Sequence, residues 1–120
     1  MYSMEKKRIS LVSWNFEGPF PLEDWEPPRR AAVYAIMWFN PKIARPSGAW
    51  QVVYVGESGN LSERGFYLSH QGYPCWKKEA ETPLHISYLA LPDSTEEERR
   101  KIERAVIRLY RPPCNTQYKR

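Results

Sequence analysis

The sequence lacks several features that would place the chain in a familiar functional class. No apolar run approaches the roughly 20 residues of a transmembrane helix, so we expect no membrane span. The charged residues near the start are not followed by a long apolar segment, so we expect no signal peptide. The chain also has no Ser/His/Asp order, glycine-rich phosphate loop or paired-carboxylate motif, so none of these active sites is predicted.

Cysteine and histidine are also scarce. The two cysteines, Cys75 and Cys114, form no CxxC pair and match no zinc-binding spacing. We interpret them as reduced thiols of a cytoplasmic protein, and the alternative is one disulfide. The two histidines, His70 and His85, stand alone, and lone histidines are mostly structural or exposed.

The residues that are present fit a small basic domain. The chain has 120 residues, which suits one domain, and 42% of them are hydrophobic, which is enough for a core. Residues 1–30 carry five basic and five acidic side chains, so the whole net charge of +4 lies in residues 31–120. This balance is compatible with a polyanionic partner such as nucleic acid.

Residues 1–30 predict an N-terminal extended arm that is part of the same domain as the rest of the chain. The segment RISLVSWNF, residues 8–16, is typical of an edge strand, whereas residues 17–30 contain four prolines and favour extended chain. We expect the aromatic residues of the arm to cover the sheet edge or to make a dimer contact; they are Trp14, Phe16, Phe20 and Trp25.

The remaining residues predict an α+β fold with the order β-β-α-β-α. AAVYAIMWF (31–39) and WQVVYV (50–55) favour an antiparallel pair, and the first has apolar residues on both faces, as a central strand does. A short helix is expected over roughly 60–69 and a helical turn after Pro74. LHISYLAL (84–91) alternates and predicts the third strand.

The clearest helix follows this third strand. Ser94 with Glu97 three residues later matches a capping box, and Arg111-Pro112-Pro113 ends the helix because proline cannot continue the hydrogen-bond ladder. Its predicted apolar stripe consists of Ile102, Ala105, Val106 and Leu109.

One carboxylate in this helix is unexpected. Glu103 shares a row with Val106, and a carboxylate beside buried residues must find a partner or a cation because its desolvation is costly. The alternative to a cation is an ion pair with Arg99 or Arg100.

One arginine in the short helix is equally unexpected. Arg64 lies on the apolar row between Leu61 and Leu68. Arginine keeps its charge, and its planar fork suits a carboxylate or a phosphate. The alternative is a salt-bridged arginine, or one whose stem is buried while its head reaches water. Tyr34 and Tyr54, in the first two strands, would by themselves be core residues with satisfied hydroxyl groups.

Taken in order, these segments resemble the GIY-YIG nuclease family. Ala32-Val33-Tyr34 is similar to the first motif of that family, and Tyr54-Val55-Gly56 is similar to the second. The segment YVGESGNLSER resembles the second motif running into the arginine helix, so Arg64 matches the catalytic arginine.

The end of the chain resembles the family too. ERAVIRLYRPPCN is similar to the glutamate helix, including that of the nuclease subunit of bacterial nucleotide-excision repair. Glu103 matches the metal-binding glutamate, and Asn115 matches the asparagine that follows it and would orient the loop around it.

The resemblance implies a nuclease-like domain over residues 31–120, built on a three-stranded antiparallel sheet flanked by helices. It also implies a cytoplasmic endonuclease that hydrolyses DNA with one divalent cation, Mg²⁺ or Mn²⁺, in repair, restriction or a mobile element. Glu103 would hold the cation and Arg64 would neutralise charge on the phosphate. Tyr34 would take a proton from the attacking water, and Tyr54 would position that water.

Three positions depart from the family pattern. Ala32 stands where the family usually has glycine, and Leu68 stands where relatives often have histidine or tyrosine, with His70 or Tyr67 as candidates in its place, although neither lies on the same row as Arg64. Glu57 stands where the excision-repair subunit has lysine. A carboxylate there would raise the pKa of Tyr54, which is unfavourable for a base, and its other candidate role is a second metal ligand.

These departures leave two further interpretations open. In the first, the chain keeps the fold as a weak or inactive nucleic-acid-binding protein, with aromatic residues such as Tyr73 and Trp76 stacking on bases. In the second, it is an interaction module in which Glu103 pairs with an arginine. For a nuclease, specificity would come from the chain itself, from a homodimer or from a protein partner.

Overall fold

The structure of the chain, a computed structural model, describes residues 7–23, 25–26, 28–43, 48–61 and 66–118. It has the predicted α+β class. No helix among these residues is long and apolar enough to span a bilayer.

Five strands within the described residues form one antiparallel sheet in the order β1-β2-β5-β3-β4. The helix α1 lies between β4 and β5, and α2 follows β5. Short 3-10 helices cover Phe66–Ser69 and Pro113–Tyr118. The bounds are β1 Arg8–Leu11, β2 Trp14–Pro21, β3 Ala32–Asn40, β4 Ala49–Ser58, α1 Tyr73–Glu79, β5 His85–Ala90 and α2 Glu96–Tyr110.

The prediction of a three-stranded sheet is wrong, because the N-terminal arm contributes two strands of its own. β1 and β2 form a hairpin, and β2 pairs with β5, so the arm continues the sheet. Prolines at positions 19 and 21 argued against a strand here. Pro19 is accommodated because the pairing of β2 with β5 shifts register between Glu17 and Phe20, where the regular ladder is interrupted, and Pro21 is the last residue of the strand.

The aromatic residues of the arm belong to this extended sheet. Phe16 is fully buried against β3, and Trp25 is buried on the opposite face of the sheet. Their burial adds apolar area to the clusters on the two faces of the sheet.

β3 is an interior strand, as predicted, and residues 31–38 are all buried. Its two faces pack against different helices. Ala32, Tyr34, Ile36 and Trp38 face the side that holds Trp76 of α1. The alternate residues face the side that holds α2: Val33, Ala35 and Met37.

The helix α2 begins one residue later than predicted. Thr95, not Ser94, is the N-cap, and its hydroxyl accepts from the backbone N–H of Glu98 while the Glu98 carboxylate accepts from the N–H of Thr95. The Ser94 hydroxyl instead accepts a hydrogen bond from Arg99 Nη1 at 3.0 Å. The capping box therefore has the predicted chemistry at a shifted position.

The buried face of α2 is also rotated from the predicted apolar stripe. Val106 is fully buried, but Leu109 is 61% exposed, and Arg99, which was not part of the predicted stripe, is buried. Arg99 is drawn inward because its guanidinium donates to Glu57 of β4 at 2.8 Å. The helix ends at Tyr110, and Arg111 follows in the left-handed conformation with a φ of 48°.

The interpretation of the cysteines as reduced thiols is wrong for this structure. Cys75 of α1 and Cys114 of the 3-10 helix Pro113–Tyr118 form a disulfide. Cys114 is fully buried in the cluster around Trp76. The bridge therefore joins α1 to the segment that follows α2.

We expect the disulfide to contribute about 4 kcal/mol to the free energy of unfolding, since it closes a loop between residues 39 apart. The Cys75→Ser/Cys114→Ser variant should therefore unfold at a lower urea concentration than the wild type. Wild-type protein in dithiothreitol is the matched control, and its urea midpoint should equal that of the variant. Equal midpoints with and without reductant, together with alkylation of both cysteines, would show that the bridge does not form.

Candidate functional site

Tyr34 lies beside a glycine on the edge strand β4. Tyr34 and Gly56 are directly opposed in the pairing of β3 with β4. A Cβ atom at position 56 would lie 2.6 Å from both Cζ and Oη of Tyr34. The glycine is therefore required by the tyrosine ring, which extends across it toward the outer edge of the sheet.

Regular pairing places Tyr54 on the same face as Tyr34, because Tyr54 opposes Ile36 two residues along β3, and a β-bulge begins directly after this pair. Ile36 pairs with Tyr54 but Met37 pairs with Val52, so Val53 is an extra residue on β4. Both Val53 and Tyr54 consequently pack on the α1 side of the sheet. The rings of Tyr34 and Tyr54 are 6.2 Å apart between centroids.

His70 completes this group through a defined tautomer. Its Nδ1 atom accepts from the backbone N–H of Gly72 at 2.9 Å, which places the ring proton on Nε2. Nε2 lies 3.4 Å from the Tyr34 hydroxyl and donates to it. Burial lowers the pKa of His70, so the neutral form that this arrangement needs predominates at pH 7.

Glu103 approaches the tyrosines from α2. Its carboxylate is partly buried, and no ion pair with Glu103 is formed among the residues that the structure describes. Burial, and then the charge of Glu57, raise its pKa to about 7, while Arg100 and Arg104 lower it. The expected alternative, an ion pair with Arg99 or Arg100, is not found in the described part of the chain.

Glu57 has the partners that were proposed for Glu103. Arg99 Nε lies 2.8 Å from one of its carboxylate oxygens, and Arg100 Nε lies 3.7 Å from the other. The Glu57 side chain is only 14% exposed. Two guanidinium groups thus already occupy the carboxylate that was a candidate second metal ligand.

The environment raises the pKa of Tyr34 well above its usual value of 10. Burial is the largest cause, followed by the negative character of Tyr54 and Glu103, a hydrogen bond with Tyr54, and Glu57. The unfavourable influence predicted for Glu57 therefore acts on Tyr34. The same charges show that Glu103 and Glu57 lie within electrostatic reach of the Tyr34 hydroxyl.

Asn115 holds the segment after α2 against β4. Its Oδ1 accepts from the backbone N–H of Val55 at 2.8 Å, and its Nδ2 donates to the Val55 carbonyl at 2.9 Å. Val55 stands between Tyr54 and Gly56, so the asparagine fixes the strand at the point where the tyrosines meet. The neighbouring disulfide at Cys114 anchors the same segment from its other side.

Arg64, the predicted phosphate-binding arginine, lies outside the described residues. Leu68, the other departure in this region, is 65% exposed. His70 is therefore the residue of this region that the structure brings to Tyr34.

The structure adds residues that the motifs did not indicate. Trp76 is fully buried, and its ring lies 5.2 Å from that of Tyr54 and 4.8 Å from that of His70. It therefore packs beneath these two side chains and is not available to stack on bases, as one interpretation of the sequence expected. Arg99 anchors Glu57. The sequence did contain a signal for Arg99, because a polar residue lies on the buried side of α2. No sequence pattern indicated the bulge at Val53.

No family model, curated protein or solved structure matches the chain. Membership of the GIY-YIG family therefore stays a prediction from the motifs. The case for a functional site rests on the geometry of Tyr34, Tyr54, His70 and Glu103.

We expect Gly56→Ala to destabilise the fold by about 1–3 kcal/mol, because the added methyl group would overlap the Tyr34 ring. Gly59→Ala is the matched control, since a Cβ there would lie 3.4 Å from the nearest atom, Nη2 of Arg99, which is ordinary contact. Urea denaturation would compare the two. Equal stability of both variants would show that Tyr34 does not lie across Gly56.

Glu103→Gln should make the protein more stable above pH 7. A folded carboxyl with a pKa raised from 4.5 to about 7 keeps its proton where the unfolded chain has lost it, so stability falls as the pH rises through 7. After allowance for solvent screening, the neutral glutamine should gain about 1–2 kcal/mol at pH 8 and almost nothing at pH 4.5.

Urea midpoints at the two pH values would test this expectation. The exposed Glu97→Gln change on the same helix is the control and should show no such gain. A wild type that is more stable than Glu103→Gln at pH 8 would indicate that the Glu103 carboxylate has a stabilising partner.

Proposed function

We propose that the chain is a metal-dependent endonuclease that hydrolyses phosphodiester bonds of DNA. The observation that carries the proposal is the contact of Tyr34 with Tyr54 and His70 beside Gly56 of β4, with Glu103 close enough to raise the pKa of Tyr34. These residues are far apart in the sequence, and they include both motif tyrosines and the motif glutamate.

Glu103 fits the role of a cation ligand. A partly buried carboxylate without an ion pair among the described residues is stabilised by a bound cation, and Mg²⁺ commonly uses one or two carboxylates and several waters. The described residues contain no group of three His, Cys, Asp or Glu ligands, so water and substrate oxygens would complete the coordination. Such a cation, Mg²⁺ or Mn²⁺, would stabilise the leaving oxygen.

The tyrosines supply the proton chemistry of the proposal. Tyr34, as phenolate, would take the proton from water as the water oxygen bonds to phosphorus and the phosphorus–oxygen ester bond breaks. The Nε2–H group of His70 donates to the Tyr34 oxygen, which favours the phenolate. Tyr54, next to Tyr34, would position the water. By the resemblance alone, Arg64 would neutralise charge on the phosphate.

One observation favours the alternative of a nucleic-acid-binding protein with little or no activity. The pKa of Tyr34 is raised well above 10, chiefly by burial, so the phenolate is scarce at neutral pH. A chain that only binds DNA has no need of that phenolate, so the two functions differ in cleavage and not in binding.

Nicking of supercoiled plasmid is the test of the proposed function. Purified protein with Mg²⁺ or Mn²⁺ should nick the plasmid, and EDTA should abolish the reaction. Tyr34→Phe and Glu103→Gln should each lower the rate by about 100-fold or more, because each removes a group that acts in the transition state. Arg64→Ala should behave in the same way.

Tyr88→Phe is the matched control. Tyr88 is paired directly with Tyr34 across the sheet, but its hydroxyl donates to Glu17, away from β4. It should retain the wild-type rate. Equal rates in all proteins would rule out this site as the source of nicking, and binding without any nicking would establish the alternative.

A further inference from the structure

Three arginines form a row on the exposed side of α2, and the first of them follows Glu103 directly. Arg104, Arg108 and Arg111 are all exposed, and none of them forms a salt bridge with any acidic side chain in the described ranges. Arg100, one turn earlier, differs from them because its Nη2 pairs with Glu96 at 2.6 Å. The charge of Arg100 is therefore compensated within the helix, whereas the charges of Arg104, Arg108 and Arg111 are not, among the residues that the structure describes.

The spacing places these arginines side by side. Residues three and four apart share one side of a helix, and Arg104 and Arg108 are about 6 Å apart along the axis at 1.5 Å per residue. Arg111 lies about 4.5 Å beyond Arg108 by the same rise. The row thus leads from the turn that carries Glu103 to the end of α2.

Stability of the helix does not account for the whole row. Cations near a helix C-terminus interact favourably with its dipole, which explains Arg108 and Arg111. Arg104 lies in the middle of the helix, and like charges four residues apart are destabilising, so Arg104 and Arg108 repel each other. Arg104 is also close enough to Glu103 to lower the pKa of that carboxyl group.

We propose that Arg104, Arg108 and Arg111 bind the sugar–phosphate backbone of DNA. They would do so on one side of the phosphate that the cation at Glu103 would bind. The proposal rests on the proposed function, because it takes DNA as the ligand of the site. Guanidinium groups pair with phosphate oxygens in a planar, often bidentate arrangement, and a row of them follows a continuous backbone. DNA would then run along α2 from the β4 edge of the sheet.

The salt dependence of binding tests this proposal without cleavage. Binding of a labelled duplex would be measured in EDTA over a range of salt concentrations. The slope of the logarithm of affinity against the logarithm of salt should become shallower by about 0.9 for Arg108→Gln, the value for one lost phosphate contact. Lys78→Gln removes the same charge from an exposed position on α1 and should leave the slope unchanged.

A triple variant extends the test along the row. In Arg104→Gln/Arg108→Gln/Arg111→Asn the slope should change by about 2.7, three times the single value. Asparagine is chosen at position 111 because it tolerates the left-handed backbone found there. Equal urea midpoints for the triple variant and the wild type would show that the fold is intact.

The outcomes separate this inference from the proposed function. A slope that changes only for the arginine variants supports DNA binding by the arginine row, even if the wild type fails to nick plasmid. An unchanged slope in the triple variant overturns the proposal that the arginine row binds DNA, even if nicking is confirmed. Binding of the row to vesicles with anionic lipid but not to DNA would overturn it as well.

Discussion

The buried ion pair between Arg99 and Glu57 is the interaction on which the rest of the site depends. It joins α2 to β4, and both side chains are largely withdrawn from water. Loss of Glu57 would leave Arg99 as an uncompensated buried charge, which typically costs about 3–5 kcal/mol. Because Arg99 must face Glu57, the helix is rotated so that Leu109 faces solvent and Glu103 lies at the boundary of the core.

This rotation couples stability to the electrostatics of the site. The same Glu57 that holds α2 in place raises the pKa of Glu103 and contributes to the raised pKa of Tyr34. A fold of this size has room for few buried charges, so a carboxylate that anchors a helix also acts on its neighbours. The electrostatic character of the candidate site is thus partly a consequence of how the helix is attached.

Much of the fold could be predicted because its signals are local. The alternation and apolar content of residues 31–39, 50–55 and 84–91 identified β3, β4 and β5, and the cap and the final prolines located α2 to within a residue or two. β2 was missed because its prolines argue against a strand, whereas the structure tolerates them at an interruption of the ladder. The pairing of β2 with β5 joins residues far apart in sequence, which no local pattern reports.

The candidate site was predictable in its residues and not in its contacts. The motifs identified Tyr34, Tyr54, Glu103 and Asn115, and the first three do lie near one another. The hydrogen bond from His70 depends on a turn at Gly72, and the pairing of Arg99 with Glu57 instead of Glu103 depends on the rotation of α2. Both are set by packing between elements.

The bond between Asn115 and Val55 has a consequence for association between chains. β4 is the last strand of the sheet, and a bare strand edge is a template on which another chain can add a strand. The Asn115 amide occupies the outward N–H and carbonyl of Val55 as a pairing strand would. A second chain could pair at Val55 only by displacing that side chain, so the Asn115 amide protects this part of the β4 edge from strand-mediated association.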